Sequence, residues 1–137
     1  MIALDRSIRF EEVDAAGIVF FARFVAYAHE AMEHFFAAAE GGYPNLIMRR
    51  KIGFPAVKLE VSFNAPLRYG DAIRIETSVS RLGNRSFVLH YRMLDARSGA
   101  LAAELWHTVV TSDLVTLTSC EMPADVRAVL VAHLDPA

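Results

Sequence analysis

The stretch Val13-Asp14-Ala15-Ala16-Gly17-Ile18-Val19-Phe20-Phe21-Ala22-Arg23-Phe24 decides how the rest of the chain is read. Its first half is turn-like, because Asp favours turns and helix caps and Gly supplies backbone freedom. Its second half opens the one long segment without Gly or Pro. Residues 22–40 are rich in Ala, Met, Glu and Phe and predict the long helix. Gly41-Gly42 followed by Pro44 is expected to stop it.

That helix has a legible face. Phe21, Phe24, Ala28, Ala31, Met32 and Phe35 recur at helical spacing as an apolar stripe. At about 3.6 residues per turn, Arg23, Tyr27, Glu30 and His34 share one flank of the stripe, and His29 and Glu33 lie on the far side.

On either side of the helix the sequence reads as strands. Residues 7–11 are extended in character and predict a first strand. After a loop through Gly53-Phe54-Pro55, residues 57–65 predict the next, closed by Pro66. Ile73, Ile75, Thr77 and Val79 then alternate with Arg74, Glu76, Ser78 and Ser80, the period of a half-buried strand. Gly83-Asn84 reads as a hairpin turn, and Phe87, Leu89, Tyr91 and Met93 continue the alternation. Ser98-Gly99 turns into a strand over 101–111, in which Leu105, His107 and Val109 oppose Glu104, Trp106 and Thr108. A short strand over 115–117 and a helix opened by Pro123, running to about His133, complete the reading. One helix does not cover both faces of a sheet of about five strands. The simplest arrangement wraps the sheet around the helix and covers the remaining apolar surface by pairing subunits, as a homodimer or homotetramer.

Composition bounds the function. A chain of 137 residues, 54% of them apolar, fits one domain with a full core. A net charge of -2 gives no reason to expect nucleic acid. Cys120 is the single cysteine, so neither a disulfide framework nor a cysteine metal site is available. Nothing reads as a signal peptide or as the ~20 apolar residues of a membrane span, which leaves a cytoplasmic protein as the default. His29 and His34 are five residues apart and point to different sides of the helix, so the segment is not a zinc motif. No metal or other cofactor is expected.

The order Asp14, two residues, Gly17, two aliphatics, an aromatic and then a helix resembles the signature of the 4-hydroxybenzoyl-CoA thioesterase family of hotdog proteins. The likeness extends through Pro66, Gly70-Asp71 and Gly83 to Phe87. His29-Glu30-Ala31 and Gly53-Phe54-Pro55 are also similar to the dihydroxynaphthoyl-CoA thioesterases of the same superfamily. The resemblance implies an α+β hotdog fold over residues 1–137 and hydrolysis of an acyl-CoA thioester. An aryl group like 4-hydroxybenzoyl is the expected acyl part, with dihydroxynaphthoyl-CoA or a carrier-protein thioester as alternatives. It further implies Asp14 as nucleophile or general base, the backbone N–H of Phe21 as oxyanion donor, and Gly17 as the residue shaping the turn. Arg85-Ser86-Phe87 resembles a basic segment that touches CoA phosphates, and Arg81 stands on the other side of the same turn.

Elementary chemistry supports the reading without completing it. The first turn of a helix carries unpaired N–H groups and partial positive charge, suited to an oxyanion. A thiol of pKa near ~8.5 leaves as thiolate without an acid to help it. Spacing alone leaves Asp14 open between a capping aspartate and a reactive one. Glu30 is the second-choice acid, with a surface ion pair as its plain alternative. Phe20, Phe24 and Tyr27 are candidates for an acyl pocket or for simple core, and Arg81 and Arg85 for phosphate contacts or solvated charges. The sequence departs from the family at Phe21, where many relatives carry Tyr or His, and at Arg23, where they carry Asn or Ser. Without a polar side chain at Phe21, only a backbone role remains there. A hotdog dehydratase needs a histidine where Phe20 and Phe21 stand, and a non-enzymatic acyl-CoA sensor usually carries an effector domain for which this chain has no room.

Overall fold

A computed structural model describes residues 1–136. Its elements are β1 (Ile2–Ser7), α1 (Phe21–Phe35), α2 (Gly42–Met48), β2 (Ile52–Gly53), β3 (Ala56–Phe63), β4 (Ala72–Leu82), β5 (Ser86–Asp95), β6 (Leu101–Val110), β7 (Ser112–Asp113), β8 (Thr118–Ser119) and α3 (Ala124–Ala132). Five antiparallel strands form the main sheet in the order β1-β4-β5-β6-β3, and β2, β7 and β8 form a small second sheet. The fold is α+β, with one long helix against one face of the sheet, as the sequence predicts.

The period-2 alternation of the sequence becomes two faces. Ile73, Ile75, Thr77 and Val79 of β4, Phe87, Leu89, Tyr91 and Met93 of β5, and Ala103, Leu105 and Val109 of β6 are buried. They meet Phe24, Tyr27, Ala28, Ala31, Met32 and Phe35 of α1. Phe21 does not belong to this stripe: it opens the helix and is 64% exposed. Tyr27, a candidate for acyl pocket or core, is fully buried beneath the guanidinium of Arg6 at 4.4 Å from its ring centre.

Three boundaries differ from the sequence reading. The first strand is Ile2–Ser7 rather than 7–11, because residues Phe10–Glu12 close into a 3-10 turn. The long helix ends at Phe35 and tightens into a 3-10 turn over Phe36–Ala38, which turns Phe36 into the core. Gly41, at φ +74°, then reverses the chain into α2, where Pro44 occupies the first turn and needs no N–H partner. The expected strand over 115–117 is a turn between β7 and β8, and Leu117 lies at φ +58°. The C-terminal helix matches, with Pro123 as N-cap and His133 as C-cap.

An ion pair anchors the amino end of α1. Arg6, at the end of β1, donates from both terminal nitrogens to the Glu12 carboxylate at 3.0 and 2.8 Å. Glu12 also accepts the Arg9 N–H at 2.8 Å, and its carbonyl accepts the Phe20 N–H at 3.0 Å. One buried glutamate therefore ties β1, the 3-10 turn and the helix start together. Burial alone raises the Glu12 pKa, but the hydrogen bonds from Arg6 and Arg9 and the Arg6 charge outweigh it and hold the carboxyl below its ordinary value.

Removing one partner of a buried, bidentate pair leaves the other charge uncompensated. Glu12→Ala is expected to lower unfolding free energy by about 3 kcal/mol in urea titrations. Because its folded-state pKa is depressed, the contribution of Glu12 is fully present above its unfolded value near 4.5 and is lost as pH falls through the folded one. Glu12→Gln is accordingly expected to be less stable than the parent at neutral pH and to show a flatter loss of stability in acid.

Candidate functional site

The loop between Glu12 and α1 is a closed turn. The Asp14 N–H donates to the Ile18 carbonyl, the Gly17 N–H donates to the Asp14 carbonyl, and both bonds are 2.9 Å long. Val13 and Val19 pair across its base, and Ile18 pairs with Arg68 beyond it. Gly17 sits at φ +78°, with open space where a Cβ would stand. Its requirement is therefore backbone conformation, not room. The Asp14 side chain is exposed and accepts the Ala16 N–H through Oδ1 at 2.8 Å. Its second oxygen has no hydrogen-bond partner among the described residues.

Beside this loop α1 begins without a side-chain cap. The N–H of Phe20 is taken by Glu12 and that of Arg23 by the Phe20 carbonyl. The N–H groups of Phe21 and Ala22 have no partner among the described residues, as the first turn of a helix dictates. Phe21 itself lines a cleft of about 440 Å³ together with Ile18, Phe24, Phe63, Asn64 and Pro66, among others. Its walls are apolar apart from Asn64, and the Phe24 and Phe63 rings meet edge-on at 5.5 Å. Asp14 is not part of the cleft lining but stands on the loop that supplies Ile18 and Val19 to it.

The other candidates divide into near and far. Phe20 packs on Phe21 with ring centres 4.7 Å apart but does not line the cleft. Phe24 does, whereas Tyr27 is sealed in the core, its hydroxyl pKa pushed up to about 12 by burial and by the charge of Glu12. Glu30 is bound to Arg6 at 3.3 Å and is likewise absent from the cleft. Arg23 reaches back to the Glu11 carbonyl at 3.2 Å. Arg81 and Arg85 flank the β4–β5 turn at the opposite end of the sheet from the Asp14 loop. β4 is 11 residues long, roughly 33 Å at ~3.3 Å per residue. Arg85 there donates to the carbonyl and hydroxyl of Ser119, both at 3.1 Å.

Reading the sequence missed three parts of this region. Arg6 and Glu12 carry no motif, since their pairing is made by the turn between them. Asn64 is signalled only by its place between a strand and Pro66. His107 is signalled only as a member of the β6 alternation; it lies on the helix-facing side of β6 beside a second, smaller cavity. Among the described residues no three His, Cys, Asp or Glu side chains converge as metal ligands, and no helix is long and apolar enough to cross a membrane.

With this geometry in place, comparison with known proteins is informative. Residues 8–130 match the family described as the thioesterase-like superfamily. A 1,4-dihydroxy-2-naphthoyl-CoA hydrolase from Synechococcus elongatus is 32% identical over 108 residues, covering 78% of this chain and 79% of that protein. The corresponding hydrolase of Prochlorococcus marinus is 26% identical over 138 residues, covering 96% and 90%. The structure of a gentisyl-coenzyme A thioesterase superposes with a TM-score of 0.82 at 31% identity, over 92% of this chain and 99% of that one. A thioesterase-superfamily protein from Jannaschia, at 22% identity and covering 98% and 94%, superposes at 0.90 and bears on the fold alone. The strand order, the single long helix and the match over nearly its whole length place this chain in the thioesterase-like superfamily, with a hotdog fold.

Proposed function

We propose that this protein hydrolyses an aryl-CoA thioester to the free acid and CoA, with Asp14 as nucleophile or general base and the amino end of α1 as oxyanion site. The observation that supports the reading is a helix start whose Phe21 and Ala22 N–H groups are unpartnered and whose first residue, Phe21, lines an apolar cleft, next to a loop whose carboxylate has one oxygen free. A carbonyl seated there gains negative charge as it is attacked, and fixed amide donors favour that charge most in an apolar site. The thiolate leaves unaided, so no second acid is required. The aryl class is supported by the relatives, named for dihydroxynaphthoyl-CoA and gentisyl-CoA.

The site is built to be completed by a second copy. β3 is an edge strand whose free side has no partner in the chain. On its helix-facing side Leu59 and Phe63 remain 41% and 54% exposed although Phe24 packs on Phe63, and Val57, in the bulge between Ala56 and Lys58, is 60% exposed. A long apolar edge of this kind is a template for another strand. Pairing β3 with its own copy about a two-fold axis sets the Ala56 end of one strand against the Phe63 end of the other. The β4–β5 turn shares the Ala56 end of the sheet, since Phe87 and Ala56 both pair with Val109. Arg81 and Arg85 of a second copy are thereby brought toward the cleft, where a CoA phosphate would meet them.

Two outcomes are expected. Asp14→Asn keeps an oxygen to accept the Ala16 N–H, so the loop and the melting temperature should persist. Hydrolysis should fall about a thousandfold, measured as free thiol released from a panel of aryl- and alkyl-CoA substrates. A near-normal rate in that variant refutes the role of Asp14. In solution the protein should run at two or four times its 15.2 kDa by light scattering. The double variant Val57→Lys, Leu59→Lys should run as a monomer with its circular dichroism retained, and a monomeric parent would overturn the pairing.

A further inference from the structure

Of the residues that line the cleft at the start of α1, Asn64 alone has a polar side chain. Asparagine at the end of a strand ordinarily has a local reason, either a left-handed backbone or a side chain that closes its own turn. Neither applies here. Lys51 and Leu117 are the non-glycine residues at positive φ among those described, and Asn64 is not one of them. Asp14, Asp95 and Asp113 each accept an N–H two residues on, and Asn45 donates to the Glu40 carbonyl. The Asn64 amide makes no such bond to any described residue. Leucine or valine would continue the apolar wall formed by Ile18, Phe24 and Phe63. The amide therefore calls for an account.

Its backbone is held firmly. The N–H groups of Asn64 and Ala65 both donate to the Ala102 carbonyl, at 2.8 and 3.1 Å. Pro66 keeps Ala65 out of the helical region, so the chain leaves β3 extended. Just beyond, this segment is joined to the loop that carries Asp14. The Val19 N–H donates to the Leu67 carbonyl at 2.8 Å, and Ile18 pairs with Arg68. The end of β3, the Asp14 loop and the start of α1 thus form one hydrogen-bonded frame. Asn64 and Phe21 line the same cleft from different parts of it.

The polar atom at the reacting centre of a thioester is its carbonyl oxygen, which needs donors most when negative charge develops on it. We propose that Asn64 is a further catalytic residue, its Nδ2–H donating to that oxygen alongside the Phe21 N–H; the inference rests on the thioesterase reading. When Asp14, or a water that it deprotonates, attacks the carbonyl carbon, the π pair of the C=O bond moves onto oxygen. Asn64 holds the oxygen through a hydrogen bond and keeps its own proton. The pair returns to the carbon–oxygen bond as the carbon–sulfur bond breaks and sulfur departs as thiolate. A neutral amide suits the position. Lysine or arginine would donate as well, but its charge would pair with the Asp14 carboxylate and blunt it.

The test measures kcat, KM and inhibition by free CoA for the intact protein. It uses each thioester that the parent hydrolyses among benzoyl-, 4-hydroxybenzoyl-, 1,4-dihydroxy-2-naphthoyl- and hexanoyl-CoA. Asn64→Leu should lower kcat about a hundredfold on all of them alike, because the carbonyl is common to them. KM and the CoA inhibition constant should stay within about threefold, since a donor felt mainly in the transition state leaves ground-state binding nearly unchanged. Asn64→Asp, of the same size but with a negative charge in place of the donor, should be as slow or slower. Asn64→Ser, which keeps a donor, should recover about tenfold over the leucine variant. Melting temperatures should match the parent's, as the side chain has no bond to lose, and a structural role would instead move them with kcat. Near-parental kcat in both Asn64→Leu and Asn64→Asp overturns the proposal. So does a loss that lies in KM and in CoA inhibition, which marks a contact to the pantetheine arm, or one confined to hydroxylated rings, which marks a contact to the acyl group. In those cases an inactive Asp14→Asn leaves the thioesterase reading standing. A parent that hydrolyses none of the thioesters overturns both.

Discussion

The hydrogen bond from the Phe20 N–H to the Glu12 carbonyl determines where α1 starts, and the Arg6–Glu12 ion pair determines where that carbonyl is. Everything of chemical interest follows from this anchoring. Because the chain enters the helix through an apolar residue held by its backbone, no Ser, Thr or Asp side chain folds over the first turn to satisfy it. A helix start without a cap costs stability, commonly about 1 kcal/mol. Here the cost is offset by a buried pair one turn earlier, and the amides of Phe21 and Ala22 stay free. The same anchor holds the Asp14 loop in register with them, since that loop spans only the residues between Glu12 and Phe20.

The sheet's breadth is the second constraint. α1 is 15 residues long and lies over β4 and its neighbours, which leaves the helix-facing side of β3 only partly covered. The hydrophobic surface does not end at β6. It continues through Leu59, Val61 and Phe63, with Lys58, Glu60 and Ser62 on the opposite face. The alternation shows which side of β3 is meant to be buried, and the exposure shows that one copy does not bury it. The cleft at the helix start and the cavity beside His107 both abut this strand, so the strand left partly exposed is also the one that borders both recesses.

How much of this was legible in the sequence depended on whether the controlling interactions were local. The alternation through Ile73, Ile75, Thr77 and Val79 and through Phe87, Leu89, Tyr91 and Met93 places every one of those residues in the core, because a two-residue period survives any tertiary context. The C-terminal helix from Pro123 to His133 was equally plain. The first strand was misplaced because the turn at Phe10–Glu12 is made by the Glu12 side chain, which no local propensity reveals. For Tyr27 the sequence left pocket and core open, because helix geometry cannot foresee a guanidinium arriving from β1 to cover it. α2 was hidden behind Gly41, whose left-handed conformation restarts the chain where a helix had just ended. For the site, the Asp14 segment pointed to the helix start from the sequence alone, whereas Asn64 and His107 became visible only when strands distant in sequence closed around them.

Phe21 illustrates why a departure from a family pattern need not disable a site. A polar side chain at that position would have been free to fold back onto the first turn and compete for the amide hydrogens, as capping residues do. Phenylalanine lacks that option. Its ring instead forms a wall of the cleft, half in solvent, and packs on Phe20. In the proposed reaction the exchange leaves only a backbone donor at this position, and an amide facing apolar walls interacts with a developing negative charge through a lower effective dielectric than one facing water. A site of this kind depends less on which side chains it presents than on how dry and how fixed its few donors are. Both properties trace to the buried Glu12 that sets the helix start and to the apolar residues that continue the stripe of α1 out to the edge of β3.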